Sequence, residues 1–532
     1  MGTSSQFFSY FGKEALAGGL NTTDHPLIAG PSDMTDVSNI TVTQTLGRRK
    51  RPGLINYCLA SFASTASYLQ PGIAIRGHVQ YWRYPTGAIE STQDIFLHQG
   101  AKLVTIPNRV DPSVERQGSF TPSSSGIPSY QPFEGLLYFV SSEITDGYKK
   151  WDGQATVPGN VQIATPPIDG SGKYLSTWQA RMIMGGNPDF PYRVYISAAL
   201  DAESWTGPDS TSLDLTADGD PIGITGFLGE LEGRFYIGTR NSIYQLYATD
   251  LGDPVTFFVE RISRGIGLVS QGSVVATSND IVFASDRGIH SIRKMITSDQ
   301  TEINYASRDI SSLFTQQLAP NLLTRATAVW DSSQNLYILS VCSSGQLTND
   351  VLLVYNLTFG YWTVWNDVQA RSLASVLINF KPTISVGRED GKLAVLDQVL
   401  NTDFGAGFSA FFKTAKLFPG GKMHVVWTFK SVTILVSADN VSGLSLTWTI
   451  DDTDTSKSGS SQTTLGQSAD LLGSTFVLGA SRLGIGRFIP VTFDISETGY
   501  NIQFQFNQSG NSNVEYYGFI LECEEGNMIY AA

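Results

Sequence analysis

Between about residues 75 and 400, short apolar runs alternate with polar or glycine-bearing turns, and a second apolar run follows each turn. Gly135-Leu136-Leu137-Tyr138-Phe139-Val140 leads to Tyr148-Lys149-Lys150-Trp151-Asp152-Gly153, and Arg181-Met182-Ile183-Met184 leads to Tyr192-Arg193-Val194-Tyr195-Ile196. The pattern Gly233-Arg234-Phe235-Tyr236-Ile237-Gly238, polar turn, Ile243-Tyr244-Gln245-Leu246 returns about 46 residues later as Asp280-Ile281-Val282-Phe283-Ala284-Ser285, turn, Ile289-His290-Ser291-Ile292. Further copies stand at Asn335–Ser340 with Val351–Tyr355 and at Thr383–Gly387 with Lys392–Leu396. A repeat of roughly 40–50 residues is one four-stranded blade of a β-propeller, whose exposed face is buried only when blades stack around a ring. The sequence predicts an all-β chain: an N-terminal arm and docking segment over 1–74, a β-propeller of about six or seven irregular blades over 75–400, a linker over 401–424 and a C-terminal β-sandwich over 425–532.

The sandwich is read from Ser431–Val436, Leu444–Ile450 and Asn501–Phe506, where apolar and polar residues take turns at the period of half-buried antiparallel strands. Between them, Asp451 to Gln467 is polar enough to predict an exposed loop. One helix is expected within the propeller, capped by Asp309, with Ile310, Leu313, Phe314 and Leu318 on its apolar face and Pro320 beyond its end.

Composition sharpens this reading. Charged residues are 16% of the 532, against about 25% in an ordinary domain, while 52 glycines, 22 prolines and 11% aromatics favour short strands and tight turns. The net charge of −13 argues against a basic nucleic-acid reader. Cys58, Cys342 and Cys523 share no ligand or disulfide spacing and are expected as buried free thiols. No basic, apolar leader opens the chain, and no run of about 18 apolar residues occurs, so a soluble protein made in a cytoplasm, with no membrane span, is expected.

Candidate chemistry is sparse. His25, His78, His98, His290 and His424 have no metal-ligand spacing, and neither a nucleophile elbow nor a phosphate-cradling glycine loop appears. Ser285-Asp286-Arg287-Gly288 has a faint likeness to a sialidase Asp-box but reads as a blade turn, and Asp218-Gly219-Asp220 and Asp451-Asp452-Thr453-Asp454 read as turns rather than calcium loops. Tyr81-Trp82-Arg83-Tyr84, Trp151-Asp152-Gly153 and Tyr361-Trp362-Thr363-Val364-Trp365 could stack on sugars but are expected in blade cores. No catalytic, cofactor-binding or metal-ligating residue is assigned. The one basic run, Arg48-Arg49-Lys50-Arg51, fits a nuclear-import tag, a phosphate-binding patch or docking on the carboxylates of an acidic neighbour, and a structural contact is the preferred reading.

Gly18-Gly19-Leu20-Asn21, the pair around Ser38-Asn39-Ile40 and Arg49-Lys50-Arg51-Pro52-Gly53 together resemble the opening of the tail nozzle proteins of short-tailed bacteriophages, the family of tail tubular protein B and the packaged-DNA stabilization proteins. Ala284–Ile289 and Val354–Trp362 are similar as well, whereas the C-terminal sandwich shows no such likeness. The resemblance implies a non-enzymatic virion protein, made in the host cytoplasm and without a cofactor. It would form a homo-oligomeric, hexameric ring below the portal and adaptor (head-to-tail connector) proteins, extend the DNA-ejection channel and help retain the genome, with possible tail fibre or spike partners. Double-stranded DNA would pass without specific contact, and Arg48, Arg49, Lys50 and Arg51 would make the docking contact. A carbohydrate-binding tail adhesin and, below it, a propeller-fold glycoside hydrolase are the competing expectations.

Overall fold

The computed structural model describes residues 5–11, 18–43, 46–58, 69–83, 92–107, 109, 114–116, 120–153, 161–217, 219–277, 279–294, 301–438, 443–451, 457–459, 488–511 and 514–526. Two compact units emerge. One comprises Met1–Ile55, Val354–Asn366 and Asp397–Ala532, the other Asn56–Leu353 and Asp367–Leu396.

The second unit is a β-propeller. Its first five blades are four-stranded antiparallel meanders, the first running Ile75–Arg83, Thr92–Gln99, Lys102–Pro107, Val114–Glu115 and the fifth ending at Thr301–Tyr305. The inner strands Ile75–Arg83, Pro128–Phe133, Tyr174–Trp178, Ile224–Leu231, Val275–Ala276, Thr327–Asp331 and Ala370–Ile378 neighbour one another in chain order, and the last packs on the first. Among the described residues the ring therefore has seven blades, within the expected six or seven.

The second strand of each blade explains the unbroken apolar runs. It is buried on both faces, so successive side chains feed two different cores. Arg181–Gly185 is buried throughout. Met182 and Met184 join Phe133, Tyr138, Val140 and Tyr148 of blade two, while Ile183 joins Phe227, Phe235 and Ile237 of blade four. Trp151 closes the core between blades one and two against Tyr81 and Phe96. Neighbouring blades are also tied by polar groups. Between blades seven and one, the buried His78 ring bonds Ser372 Oγ at 2.8 Å and Ser385 Oγ at 2.6 Å, and Ser372 Oγ lies 2.9 Å from the Ile75 carbonyl.

In blades one, four and seven the inner strand carries a bulge at its second residue: the register slips between Ile75 and Gly77, Ile224 and Gly226, and Ala370 and Ser372. The extra residues are Arg76, Thr225 and Arg371. A bulge turns its side chain out of the regular alternation.

The predicted helix exists as Ser311–Gln316, preceded by a 3-10 turn at Arg308–Ile310, and Ile310, Leu313, Phe314 and Leu318 are buried as expected. Asp309 is not its cap: it lies inside the 3-10 turn, and Ile310 stands at the N-cap without a side-chain bond.

The first unit is a sandwich of two sheets. One holds Ile40–Val42, Arg48–Lys50, Val514–Glu525, Trp427–Ala438 and Phe488–Gly499, with Gln6–Phe11 also paired to Val514–Glu525. The other runs Met34–Ser38, Ala410–Thr414, Ile502–Gln508, Leu444–Ile450, Lys457–Gly459. Aromatic side chains knit the faces: Phe412 meets Tyr516 edge-on at 5.2 Å, and Phe504 meets Phe519 at 5.8 Å.

Two sequence boundaries shift accordingly. Parts of the expected arm, 1–74, are sandwich strands, and Ala410–Thr414 in the expected linker, 401–424, lies within the second sheet. Val354–Asn366, inside the expected propeller span 75–400, is grouped with the first unit. Of the polar loop 451–467, Lys457–Gly459 is a strand and 452–456 and 460–467 lie outside the described residues.

Candidate functional site

The basic run pairs back on Ile40–Val42 and forms a three-residue strand, Arg48–Lys50, pairing Arg48 with Tyr516 and Arg49 with Glu515. Strand alternation sends Arg48 and Lys50 inward, and both are fully buried. Arg48 Nη2 donates to the carbonyls of Gly18 (3.1 Å) and Ser32 (2.6 Å), and its guanidinium lies 4.7 Å from the centre of the Phe412 ring. Burial pulls its pKa down to about 9, against the upward pull of Asp33. Lys50 Nζ donates to Phe408 and Gly510 carbonyls, each at 2.6 Å; burial, then Arg51, lower its pKa to about 8, against Asp403.

Arg51 is the hub. Its Nη1 and Nη2 grip Asp403 in a two-pronged pair of 2.9 and 2.6 Å, Nε donates to Asn39 Oδ1 at 2.9 Å, and its plane stacks 4.0 Å above Phe408. Arg51 is fully buried and the Asp403 side chain is 19% exposed. Asn39 sits in the left-handed region at φ 58°, which asparagine tolerates better than most residues. Its Oδ1 accepts from the Asn366 amide and its Nδ2 donates to the Ser409 carbonyl.

The other residues of the N-terminal signature serve the same node. Asn21 Oδ1 caps the amides of Thr23 and Asp24, while Nδ2 donates to Asp24 and Asp33. Gly18 and Gly19 are forced small: a Cβ on the first would strike the Ser32 carbonyl, and on the second Tyr361 and Trp362. At Gly53 a Cβ would strike the carbonyl oxygen of Thr402, backbone against backbone. Gly53→Ala is therefore expected to cost about 3 kcal/mol through overpacking, read as a fall in the urea midpoint; an unchanged midpoint would mean that the strand has room to shift.

Arg48, Lys50 and Arg51 are thus held by the fold, which corrects the expectation that they form a docking surface. Each donates to groups inside the unit, and in the run only Arg49 is half-buried rather than fully so. Sequence reasoning missed Asn39 as the hub's acceptor and Asp403, more than 300 residues away, as its counter-charge; Pro52-Gly53 beside the run was the local signal of a close backbone approach.

The remaining candidates fall as follows. Ser285 and Gly288 close a two-strand turn in blade five, and Asp286 pairs with Arg240 at 2.7 Å on the surface. Asp451 Oδ1 accepts from the amides of Tyr500 and Asn501, and Asp220 Oδ1 from that of Ile222; Asp218, Asp452, Thr453 and Asp454 lie outside the described residues. Trp151, Trp362 and Trp365 are each at most 1% exposed, as expected of core aromatics, and Tyr81 is buried. The side chains of Trp82 and Arg83 and all of Tyr84 lie outside the described residues. Cys58, Cys342 and Cys523 are free and buried. Among the described residues no group of three or more His, Cys, Asp or Glu side chains is placed to hold a metal, and no helix is long and apolar enough to cross a membrane.

No family model and no curated protein matches the chain. Solved structures of propellers are similar to it. They include virginiamycin B lyase from Staphylococcus aureus (10% identity, TM-score 0.40, covering 65% of this chain and 98% of that one). The WD40 propeller of Doa1 (9%, 0.38, 65% and 97%) and the Pan2 WD40 domain of Neurospora crassa (8%, 0.38, 68% and 96%) are further examples. The propeller assignment rests on the chain's own strand order, and no activity is carried across from these proteins.

Proposed function

We propose that the chain is a non-enzymatic structural subunit of a short-tailed bacteriophage tail nozzle, repeated around the tail axis as a six-membered ring that extends the DNA-ejection channel below the adaptor. The observation that carries this reading is the convergence of Gly18, Gly19, Asn21, Asn39, Arg48, Arg51 and Gly53 in one unit, each with a packing or hydrogen-bonding task. A signature whose members are required by the fold is a better mark of common architecture than a surface run would be. The net charge of −13 is compatible with a conduit, because like charge repels phosphates and keeps DNA from adhering. With three of the four basic side chains inside the unit, adaptor docking falls to Arg49 and to surfaces the sequence does not mark. Of the aromatic clusters that motivate the adhesin reading, Trp151, Trp362 and Trp365 are buried rather than displayed.

Electron cryo-microscopy of the purified chain, and of particles carrying it, is expected to show six-fold rings around a DNA-wide axis. Monomers or peripheral trimers that bind glycans would transfer the assignment to an adhesin.

A further inference from the structure

In each blade the turns from first to second strand and from third to fourth lie at one end of the propeller, and the turn from second to third lies at the other. At the first end the loops of blades three and four touch. The Leu200 amide donates to the Ala180 carbonyl at 2.8 Å, Arg181 Nη2 reaches the Leu251 carbonyl at 3.4 Å, and Gln179 Nε2 donates to Glu230 Oε1 at 2.9 Å. On these loops Leu200, Leu251 and Val255 are 63, 46 and 84% exposed. Single exposed apolar residues are ordinary, but three on touching loops make a patch of the kind that marks an interface. The turn that displays two of them is stiff: Asp253 Oδ1 accepts from the Val255 amide at 3.0 Å, and Thr256 Oγ1 donates to the carbonyls of Asp250 and Asp253 at 2.7 and 2.8 Å. A loop already ordered in this way loses little freedom on binding.

The rim of this patch is acidic. Asp201, Glu230, Glu232, Asp250 and Asp253 are all exposed. The cations of the same end are largely spent, Arg181 buried against Asp209 at 2.6 Å and Lys150 paired with Glu203.

Blades four and five reverse the sign at the opposite end. Phe257–Arg264 finishes there, and the Gly265 amide donates to the Asn241 carbonyl at 2.7 Å. A Cβ on Gly265 would lie 3.7 Å from Arg287 Nη2, which places that guanidinium beside the end of the strand. Arg240 pairs with Asp286 at 2.7 Å, whereas among the described residues Arg264 and Arg287, both exposed, form no ion pair. Tyr305, 43% exposed, donates its hydroxyl to the Arg287 carbonyl at 3.3 Å, and Arg308 follows three residues on. Four arginines thus stand with two carboxylates, Asp286 and Asp309, around an exposed ring, in a chain whose net charge is −13.

The two patches have opposite charge and an apolar middle each, so each fits the other on a second copy of the chain. Because they are different surfaces at opposite ends of the propeller, their contact is heterologous, the kind that closes into a ring. An isologous contact would set carboxylate on carboxylate or arginine on arginine. We propose that copies of the chain associate through these patches, Leu200, Leu251 and Val255 of one packing on Tyr305 of the next, with Asp250 and Asp253 facing Arg264 and Arg287. The contact supplies the subunit interface that the nozzle ring requires, and its closure at six rests on that reading.

The test is sedimentation of the full chain. The parent is expected to associate, at least tenfold more weakly in about 1 M salt, where charges act over roughly 3 Å, than in about 0.1 M, where they act over roughly 10 Å. Arg264→Glu with Arg287→Glu makes both ends acidic, and Glu230→Lys with Asp250→Lys makes both basic, so each double variant alone should remain monomeric. Mixed in equal amounts they should assemble as the parent does, because each supplies the end that the other has reversed; that recovery also shows both to be folded. A monomeric parent, a double variant that assembles alone to the parent's extent, or folded variants that fail to assemble when mixed would each overturn the contact. Six-fold rings persisting in the separate variants would keep the nozzle reading and remove this interface, whereas open filaments showing the same exchange would keep the interface and remove the ring.

Discussion

Arg51→Met is expected to lower the unfolding free energy by about 4 kcal/mol, the cost of leaving a partly buried carboxylate without its cation. Asp403 would lose both prongs of its pair, and Asn39 the donor that fixes its side-chain oxygen between Arg51 and Asn366. The loss concentrates in the sandwich unit, which contains all four residues. Equilibrium urea unfolding of the full chain measures it. The companion variant Arg51→Met with Asp403→Leu should recover a large part of the loss, because two apolar groups of similar volume leave no charge to solvate. A single variant within about 1 kcal/mol of the parent, the usual range of an exposed pair, would show that the node is held by its backbone and ring contacts instead.

The second large effect is on acid stability. Burial pulls the His78 pKa down to about 4 from 6.5, and His290 likewise to about 4; burial, then Arg76, push His98 well below its ordinary value. Between pH 6.5 and 4 the unfolded chain takes up protons that the folded propeller refuses. Stability is therefore complete above about pH 6.5 and falls as the pH approaches 4, by about 3 kcal/mol for His78 alone. Hydrogen bonding resists part of this fall. Ser372 and Ser385 each have a carbonyl within donating distance, Ile75 and Ala374, so a doubly protonated ring could donate to both hydroxyls. Desolvation is nevertheless the larger influence. Denaturant midpoints at pH 7 and 4.5 should differ strongly in the parent and less in His78→Asn. Carboxylates held low by arginine or lysine, such as Asp214 beside Arg193 and Asp390 beside Arg388, add their loss below that window. An identical pH slope in His78→Asn would remove the imidazole from the account.

The propeller was legible because its second strands are buried on both faces: Arg181–Gly185 and Asp280–Ser285 write that burial as unbroken apolar runs followed by turns. The alternation of Leu444–Ile450 equally announced a half-buried strand. What stayed hidden was pairing across the chain. Gln6–Phe11 is polar and apolar by turns, yet nothing local says that its partner is Gly518–Cys523. Four consecutive cations likewise look like solvated surface, because the groups that make three of them internal, Ser32, Asn39, Asp403, Phe408 and Gly510, are scattered over the whole sequence. Arg325, Asn349 and Arg371 are likewise isolated polar residues until blades six and seven bring them together.

The pairing of Gln6 with Cys523 and of Arg49 with Glu515 also sets an order of events during synthesis. At roughly 5–20 residues per second, a ribosome needs about half a minute to two minutes to reach the closing strand after the opening one has emerged. Through that interval Gln6–Phe11 has no strand to join and Arg48–Lys50 has only its hairpin partner Ile40–Val42, while blade after blade of the propeller unit becomes available to fold. The sandwich is consequently the last part of the molecule to form, and a chain truncated near residue 510 would release its opening segment with unpaired strand edges, the condition that invites aggregation.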